Sequence, residues 1–175
     1  MSLDTKFKER DYLIEIQKLF PKKIFMPAIT FTVRSDWDAP ILPVSAGGPP
    51  HITVYFTGQH LSDLQLKNAA IRLYSTYVGR PLTLTEVKPS VFIKEDTGKT
   101  RHDILLKLDP STSMDVKEAR VEIDSMFPHI KEKFIGREPH VTVESTYDKE
   151  EFKEKFKLWT ERMPIKAKII GINIY

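Results

Sequence analysis

The chain has 175 residues, of which 41% are hydrophobic and 29% charged, the balance of a globular protein. No apolar run approaches the ~20 residues of a membrane span, and the absence of cysteine excludes disulfides and a thiolate nucleophile. The net charge of +3 favours an anionic ligand but is too small for a typical duplex-binding protein. We therefore expect a single domain over 1–175, cytoplasmic by default and monomeric, with no membrane and no obligate protein partner.

The first half of the sequence predicts a terminal helix followed by a strand, strand, helix, strand unit. Apolar stripes at helical spacing and alternating apolar residues give these assignments, and Gly and Pro mark the ends of the elements. The predicted elements are a helix over about 5–20, strands over 28–34 and 51–56, a helix between Ser62 and Gly79, and a strand over 82–87.

The second half predicts a similar unit. Its elements are strands over 91–94 and 102–109 joined by a hairpin turn, a helix from near Ser113 to before Pro128, a strand over 140–145, a helix capped near Asp148 and closed by Pro164, and a strand over 165–175. This repeated order predicts an α+β fold of two lobes, 28–87 and 102–175, with two antiparallel β-sheets facing a central cleft and the helices packed outside.

Two of the predicted strands carry the same short motif. Each begins with histidine immediately after proline and continues with an apolar residue, threonine and valine, as "PPHITVYF" and "EPHVTVES". Alternate side chains of a strand share a face. The residues predicted to share the polar faces are His51, Thr53 and Tyr55 in the first motif, and His140, Thr142 and Glu144 in the second.

A strand histidine is usually a solvated or hydrogen-bonded side chain, so one copy would mean little. Ordinary composition gives two such stretches in about one chain in a few hundred, and the preceding prolines make coincidence rarer still. Two imidazoles can act as general base and general acid on a phosphodiester, while threonine hydroxyls bind its non-bridging oxygens. No metal-ligand spacing accompanies the histidines, so we predict no metal and no cofactor.

The paired motifs resemble the His-x-Thr-hydrophobic signature of the 2H phosphoesterase superfamily, which includes RNA 2′,5′-ligase-like proteins and cyclic phosphodiesterases. The resemblance covers about 28–175. It implies a bilobal fold and hydrolysis of a 2′,3′-cyclic phosphate or a related ribose phosphodiester in a nucleotide or RNA end. It also implies that His51 and His140 are catalytic and that Thr53 and Thr142 bind phosphate, and it leaves open which histidine is the acid.

Further substrate contacts are predicted outside the quartet. Tyr55 and Tyr147 could stack on a base, and Arg101 in the hairpin could reach a phosphate. Glu144 stands on the predicted polar face, where some members of the superfamily carry a basic residue. Two alternatives are a nucleotide or RNA-end binding module without turnover, and a structural protein whose two motifs lie far apart.

Overall fold

The computed structural model describes residues 28–35, 50–56, 61–129 and 137–174. Its strands are β1 (Ala28–Ser35), β2 (His51–Phe56), β3 (Pro81–Ile93), β4 (Thr100–Leu108), β5 (His140–Thr146) and β6 (Ile165–Ile174). Its helices are α1 (Asp63–Tyr77), α2 (Pro110–Met126) and α3 (Lys149–Arg162). The helix predicted over 5–20 lies outside the described residues.

The six strands form one closed antiparallel ring in the order β1-β2-β5-β4-β3-β6. The α+β class is therefore confirmed. The predicted division into two separate sheets is not confirmed, because hydrogen-bonded pairs continue all the way round the ring. The ring is closed on one side by four residue pairs between β3 and β6 and on the other by a single pair between β2 and β5.

Each helix begins at a side-chain cap, which the sequence predicted for α1 and α3. Ser62 and Gln65 form a reciprocal capping box at the start of α1, and Asp148 caps α3. The structure begins α2 at Pro110, three residues before the predicted start. Asp109 caps α2 by accepting hydrogen bonds from Thr112, and proline is favoured in the first helical turn because its missing N–H would have no helical partner there.

Strand β3 runs through a position where two strands were predicted. The prediction ended the first strand at Val87 and began the second at Val91, with Pro89 between them. In the structure, β3 pairs with β6 only over Pro81–Leu84 and with β4 as far as Ile93, so Pro89 lies where β3 is an edge strand and its missing donor is tolerated.

The core lies between the apolar face of the ring and the helices. The fully buried side chains come from alternate positions of the strands and from the inner stripes of α1 and α2, as in Ile52, Leu73 and Ile123. Among the helices that the structure describes, none is long and apolar enough to cross a membrane. The opposite face of the ring carries the polar residues of both motifs.

Candidate active site

The two histidine motifs lie side by side because β2 and β5 are neighbours in the ring. Their one registered pair joins Ile52 to Val141, the residue that follows the histidine in each motif. Since the strands are antiparallel, this register sets His51 across from Thr142 and Thr53 across from His140. The histidines and threonines of the two motifs therefore form one cluster, related by a local twofold axis between the strands.

The alternation of exposed and buried residues agrees with that arrangement. The apolar residues of both motifs are 0% exposed: Ile52, Val54, Val141 and Val143. The histidines and threonines are partly exposed on the other face of the strands. The apolar residues thus fix each strand to the core, and the polar ones are left to face a ligand.

A β-bulge interrupts each motif at the same place. On β2, Thr53 pairs with β1 and so does Tyr55, but Val54 between them is skipped. On β5, Val143 is skipped in the same way against β4. A bulge adds one residue to a strand, so the side chains after it change faces. The expected alternation therefore holds up to each threonine and fails beyond it.

The bulges overturn two predictions. Tyr55 does not share the face of His51: it is 0% exposed and packs on Phe127 with ring centroids 6.2 Å apart, so the prediction that it contacts substrate is wrong. Glu144 likewise turns away from His140 and accepts a hydrogen bond from Lys155 of α3 at 3.2 Å. Its carboxylate therefore stabilises the packing of α3 on β5.

The cluster opens on a cavity of about 470 Å³. Of the predicted site residues, Thr53, His140, Thr142 and Arg101 line it, and His51 lies two residues before Thr53 on β2. The other lining residues are Phe56, Ser90, Val91, Phe92, Asp103, Leu105, Arg120, Arg137 and Glu138. Tyr147 follows the end of β5, is 51% exposed, and is not among the described residues that line the cavity.

Arg120 is the principal residue that sequence reasoning missed. It belongs to α2, is 3% exposed, and donates hydrogen bonds to the carbonyl oxygens of Thr53 at 3.1 Å and Val54 at 2.9 Å. A third hydrogen bond goes to the carbonyl of Arg137, just before β5. Pro139, the residue before β5, has no backbone N–H with which to extend the pairing of the strands. Arg120 therefore bridges the two strands where their own ladder stops.

A signal for Arg120 exists in the sequence. It stands four residues after Val116 and three before Ile123, so a long charged side chain occupies the apolar stripe of an amphipathic helix. A buried guanidinium needs hydrogen-bond acceptors, and backbone carbonyls supply them. The pattern thus marks a buried polar role, although the sequence does not reveal which carbonyls accept.

The hydrogen bond of His140 fixes one of its protons. Its Nδ1 lies 3.2 Å from the carbonyl oxygen of Glu138. A carbonyl only accepts, so Nδ1 carries hydrogen and Nε2 is the nitrogen that gains or loses a proton. Burial lowers the pKa of His140, and the nearby side chains of Arg120, His51 and Arg137 lower it further, whereas the hydrogen bond to Glu138 acts in the opposite direction. This lowering favours the neutral form of His140 near pH 7.

The segment before His140 is anchored to α2. The carboxylate of Glu138 accepts hydrogen bonds from Ser113 and Lys117, both at 2.9 Å, and these contacts lower its pKa. The cavity lining holds three arginines against two carboxylates, an excess of positive charge that suits an anion. Within 28–35, 50–56, 61–129 and 137–174, no cluster of histidine and acidic side chains is arranged to hold a metal ion.

No model of a protein family matches the chain, and no curated protein matches it in sequence. The structure of Usb1 from Kluyveromyces marxianus is 10% identical, with a TM-score of 0.49 over 86% of this chain and 97% of that one. The structure of the same protein with uridine monophosphate is 9% identical, with a TM-score of 0.41 over 99% of this chain and 92% of that one. Likeness at this level carries no argument about function.

Proposed function

We propose that the chain is a phosphoesterase that opens a ribose 2′,3′-cyclic phosphate, or a related 2′ or 3′ phosphodiester of a nucleotide or RNA end, by two-histidine acid–base catalysis. The observation that carries the proposal is the Ile52–Val141 register. It brings two imidazoles and two threonine hydroxyls to one face of neighbouring strands, which is the set of groups that this reaction requires. The alternative hypothesis, that the chain is a structural protein, required the two motifs to lie far apart.

The surroundings of His140 favour it as the general base. A base must be neutral at the working pH, and burial together with nearby positive charge lowers the pKa of His140. Its Nδ1–H is bound to the carbonyl of Glu138, so Nε2 is the nitrogen that can accept a proton. The hydrogen bond also fixes the orientation of the ring.

In the proposed reaction, water attacks phosphorus while His140 Nε2 takes its proton. The bond from phosphorus to one ribose oxygen breaks, and protonated His51 gives that oxygen a proton, leaving a phosphomonoester and a free hydroxyl. Thr53 and Thr142 donate hydrogen bonds to the two non-bridging oxygens, where charge accumulates in the transition state. The step as written needs no metal or cofactor, since the two histidines account for both proton transfers.

The test is hydrolysis of a substrate panel in the presence of a chelator. The panel contains nucleoside 2′,3′-cyclic phosphates, ADP-ribose 1″,2″-cyclic phosphate, 2′–5′ oligoadenylate and cyclic dinucleotides. We expect turnover of at least one substrate, falling ~10²–10⁴-fold in His51→Ala and in His140→Ala. His129→Ala removes an exposed histidine after α2 and should keep full activity.

The pH profile adds a second readout. A neutral base and a charged acid together give a bell-shaped dependence of kcat/KM on pH. Full activity in either single histidine variant, or a rate that rises steadily with pH, would refute the two-histidine mechanism. If the wild type binds these ligands without turnover, the chain is the nucleotide or RNA-end binding module and not an enzyme.

A further inference from the structure

The hairpin formed by the outer ends of β3 and β4 presents an exposed aromatic ring at the rim of the cavity. Phe92 is 51% exposed although it lines the cavity, and its cross-strand partner is Arg101. The guanidinium carbon of Arg101 lies 5.0 Å from the centroid of the Phe92 ring. A cation at this distance from an aromatic face is attracted by the ring's quadrupole, so the two side chains form a cation–π pair.

The guanidinium is fixed by a second contact. Arg101 donates through Nε and Nη2 to the two carboxylate oxygens of Asp103, at 2.9 and 3.0 Å. Asp103 is 8% exposed and also accepts a hydrogen bond from Ser145 at 2.7 Å. A bidentate pair of this kind holds the arginine in one plane. Nη1 has no hydrogen-bond partner among the described residues.

The charge of Arg101 is balanced, which bears on the ligand it can take. The sequence suggested that Arg101 reaches a phosphate, but a guanidinium already paired with a buried carboxylate has little charge left to attract one. What remains is a rigid N–H donor next to an aromatic face. Such a pair suits a neutral planar ring whose edge carries a hydrogen-bond acceptor.

The pair lies on the same face of the sheet as the residue that pairs with Thr142. Arg101, Asp103 and Leu105 lie on one face of β4, and Leu105 pairs with Thr142. Arg101 and Leu105 are four positions apart, or ~13 Å along the strand. A ribose and its base, extended from a phosphate at Thr142, would cross the row of Ser90 and Asp103 and reach Phe92.

We infer that Phe92 and Arg101 form a base-binding subsite, in which the nucleobase attached to the reacting ribose stacks on Phe92 and accepts a hydrogen bond from Arg101. The inference rests on the proposed function for the position of the phosphate. It assigns the hairpin a role in selecting substrates that carry a base over ribose phosphates that lack one.

The test measures binding, which does not depend on turnover. Isothermal titration compares a nucleoside 3′-monophosphate with the abasic 3′-phosphate in which hydrogen replaces the base. We expect the wild type to bind the nucleotide more tightly, and Phe92→Ala to weaken nucleotide binding roughly 5- to 150-fold while leaving the abasic ligand unchanged. Phe92→Trp should retain the preference for the nucleotide.

Ile93→Ala is the matched control, because Ile93 is the next residue of the same hairpin, is 62% exposed, and points to the other face of the strand. It should leave both affinities unchanged. The subsite is refuted if the wild type does not prefer the nucleotide, or if Phe92→Ala binds it normally or loses both ligands equally. If binding behaves as expected but no panel substrate is hydrolysed, the proposed reaction fails and the base subsite stands.

Discussion

Replacing Arg120 by methionine should loosen the junction of β2 with β5 and raise the pKa of His140. The guanidinium bridges the carbonyls of Thr53 and Val54 to that of Arg137, and its charge contributes to the low pKa of His140. Methionine keeps an unbranched apolar stem but removes both the donors and the charge. Lysine keeps the charge but cannot form the three-way bridge.

The loss of stability follows from the number of carbonyls left without a donor. A buried acceptor that loses its partner costs ~1–3 kcal/mol. Arg120 also lines the cavity, so water can reach the freed oxygens and the low end of that range applies to each. Three acceptors then give about 3 kcal/mol for Arg120→Met. In a domain of this size, that corresponds to a fall in Tm of roughly 6–12 °C.

Two measurements separate the structural effect from the electrostatic one. Thermal unfolding gives the stability, and NMR titration of the histidine ring protons gives the pKa of His140 directly. Both Arg120→Met and Arg120→Lys should lower the Tm, but only Arg120→Met should raise the pKa. If the enzyme is active, the acidic limb of kcat/KM should move to higher pH in Arg120→Met alone, because a higher pKa keeps the base protonated further up the pH scale.

Arg72→Met is the control for losing an arginine. Arg72 lies on α1 and pairs with Glu122 of α2, but its side chain is 61% exposed, so its ion pair contributes little to stability. It should change neither the Tm by more than a few degrees nor the pKa of His140. A Tm for Arg120→Met equal to that of Arg72→Met, or equal shifts of the His140 pKa in Arg120→Lys and Arg120→Met, would contradict these expectations.

Two further predictions concern stability, and denaturant unfolding measures both. Thr32→Val should cost about 1 kcal/mol because the Thr32 hydroxyl accepts a 2.9 Å hydrogen bond from Asn173, whereas Thr30→Val should be neutral or stabilising because the buried Thr30 hydroxyl has no partner among the described residues. Equal losses in the two variants would contradict this. Asp109→Ala should cost about 2 kcal/mol at pH 7 because the carboxylate caps α2 and accepts from two threonine amides. Burial would raise the pKa of Asp109, but these hydrogen bonds outweigh burial and lower the pKa. The carboxylate therefore stabilises the fold above about pH 4. The difference in unfolding free energy between variant and wild type should shrink as the pH falls through the lowered pKa. A difference that stayed constant down to pH 2 would assign the effect to something other than the charge.

The sequence predicted most elements of the described chain because their signals are local. A proline before each histidine, the cap at Ser62 and the turn at Gly98 act within a few residues, and the observed boundaries follow them. The order of the strands in the ring is not set by local signals of this type. It depends on which strands meet after folding, and the repeated strand, helix, strand pattern is compatible with two sheets as well as with one ring.

The candidate site was predicted up to the bulges and no further. Strand alternation correctly grouped the histidines with the threonines, but a bulge forms between a strand and its neighbour, and β1 and β4 were not known to be the neighbours. Tyr55 was therefore assigned to the wrong face, and Phe56 was overlooked. Arg120 was missed for the same reason, since its acceptors belong to strands that are distant in sequence.

The two motifs occupy equivalent backbone positions but have different neighbours across the strand. His51 pairs with Thr32, and His140 pairs with Lys107. The bulge follows the threonine in both motifs, so the two histidines stand on the same backbone scaffold. The proposed acid–base pair needs two imidazoles with different pKa values. In this chain that difference must come from residues outside the motifs. Changes at Arg120 or Arg137 should therefore alter the protonation of His140, whereas exchanging the short motifs between the strands should not exchange the proposed roles of the two histidines.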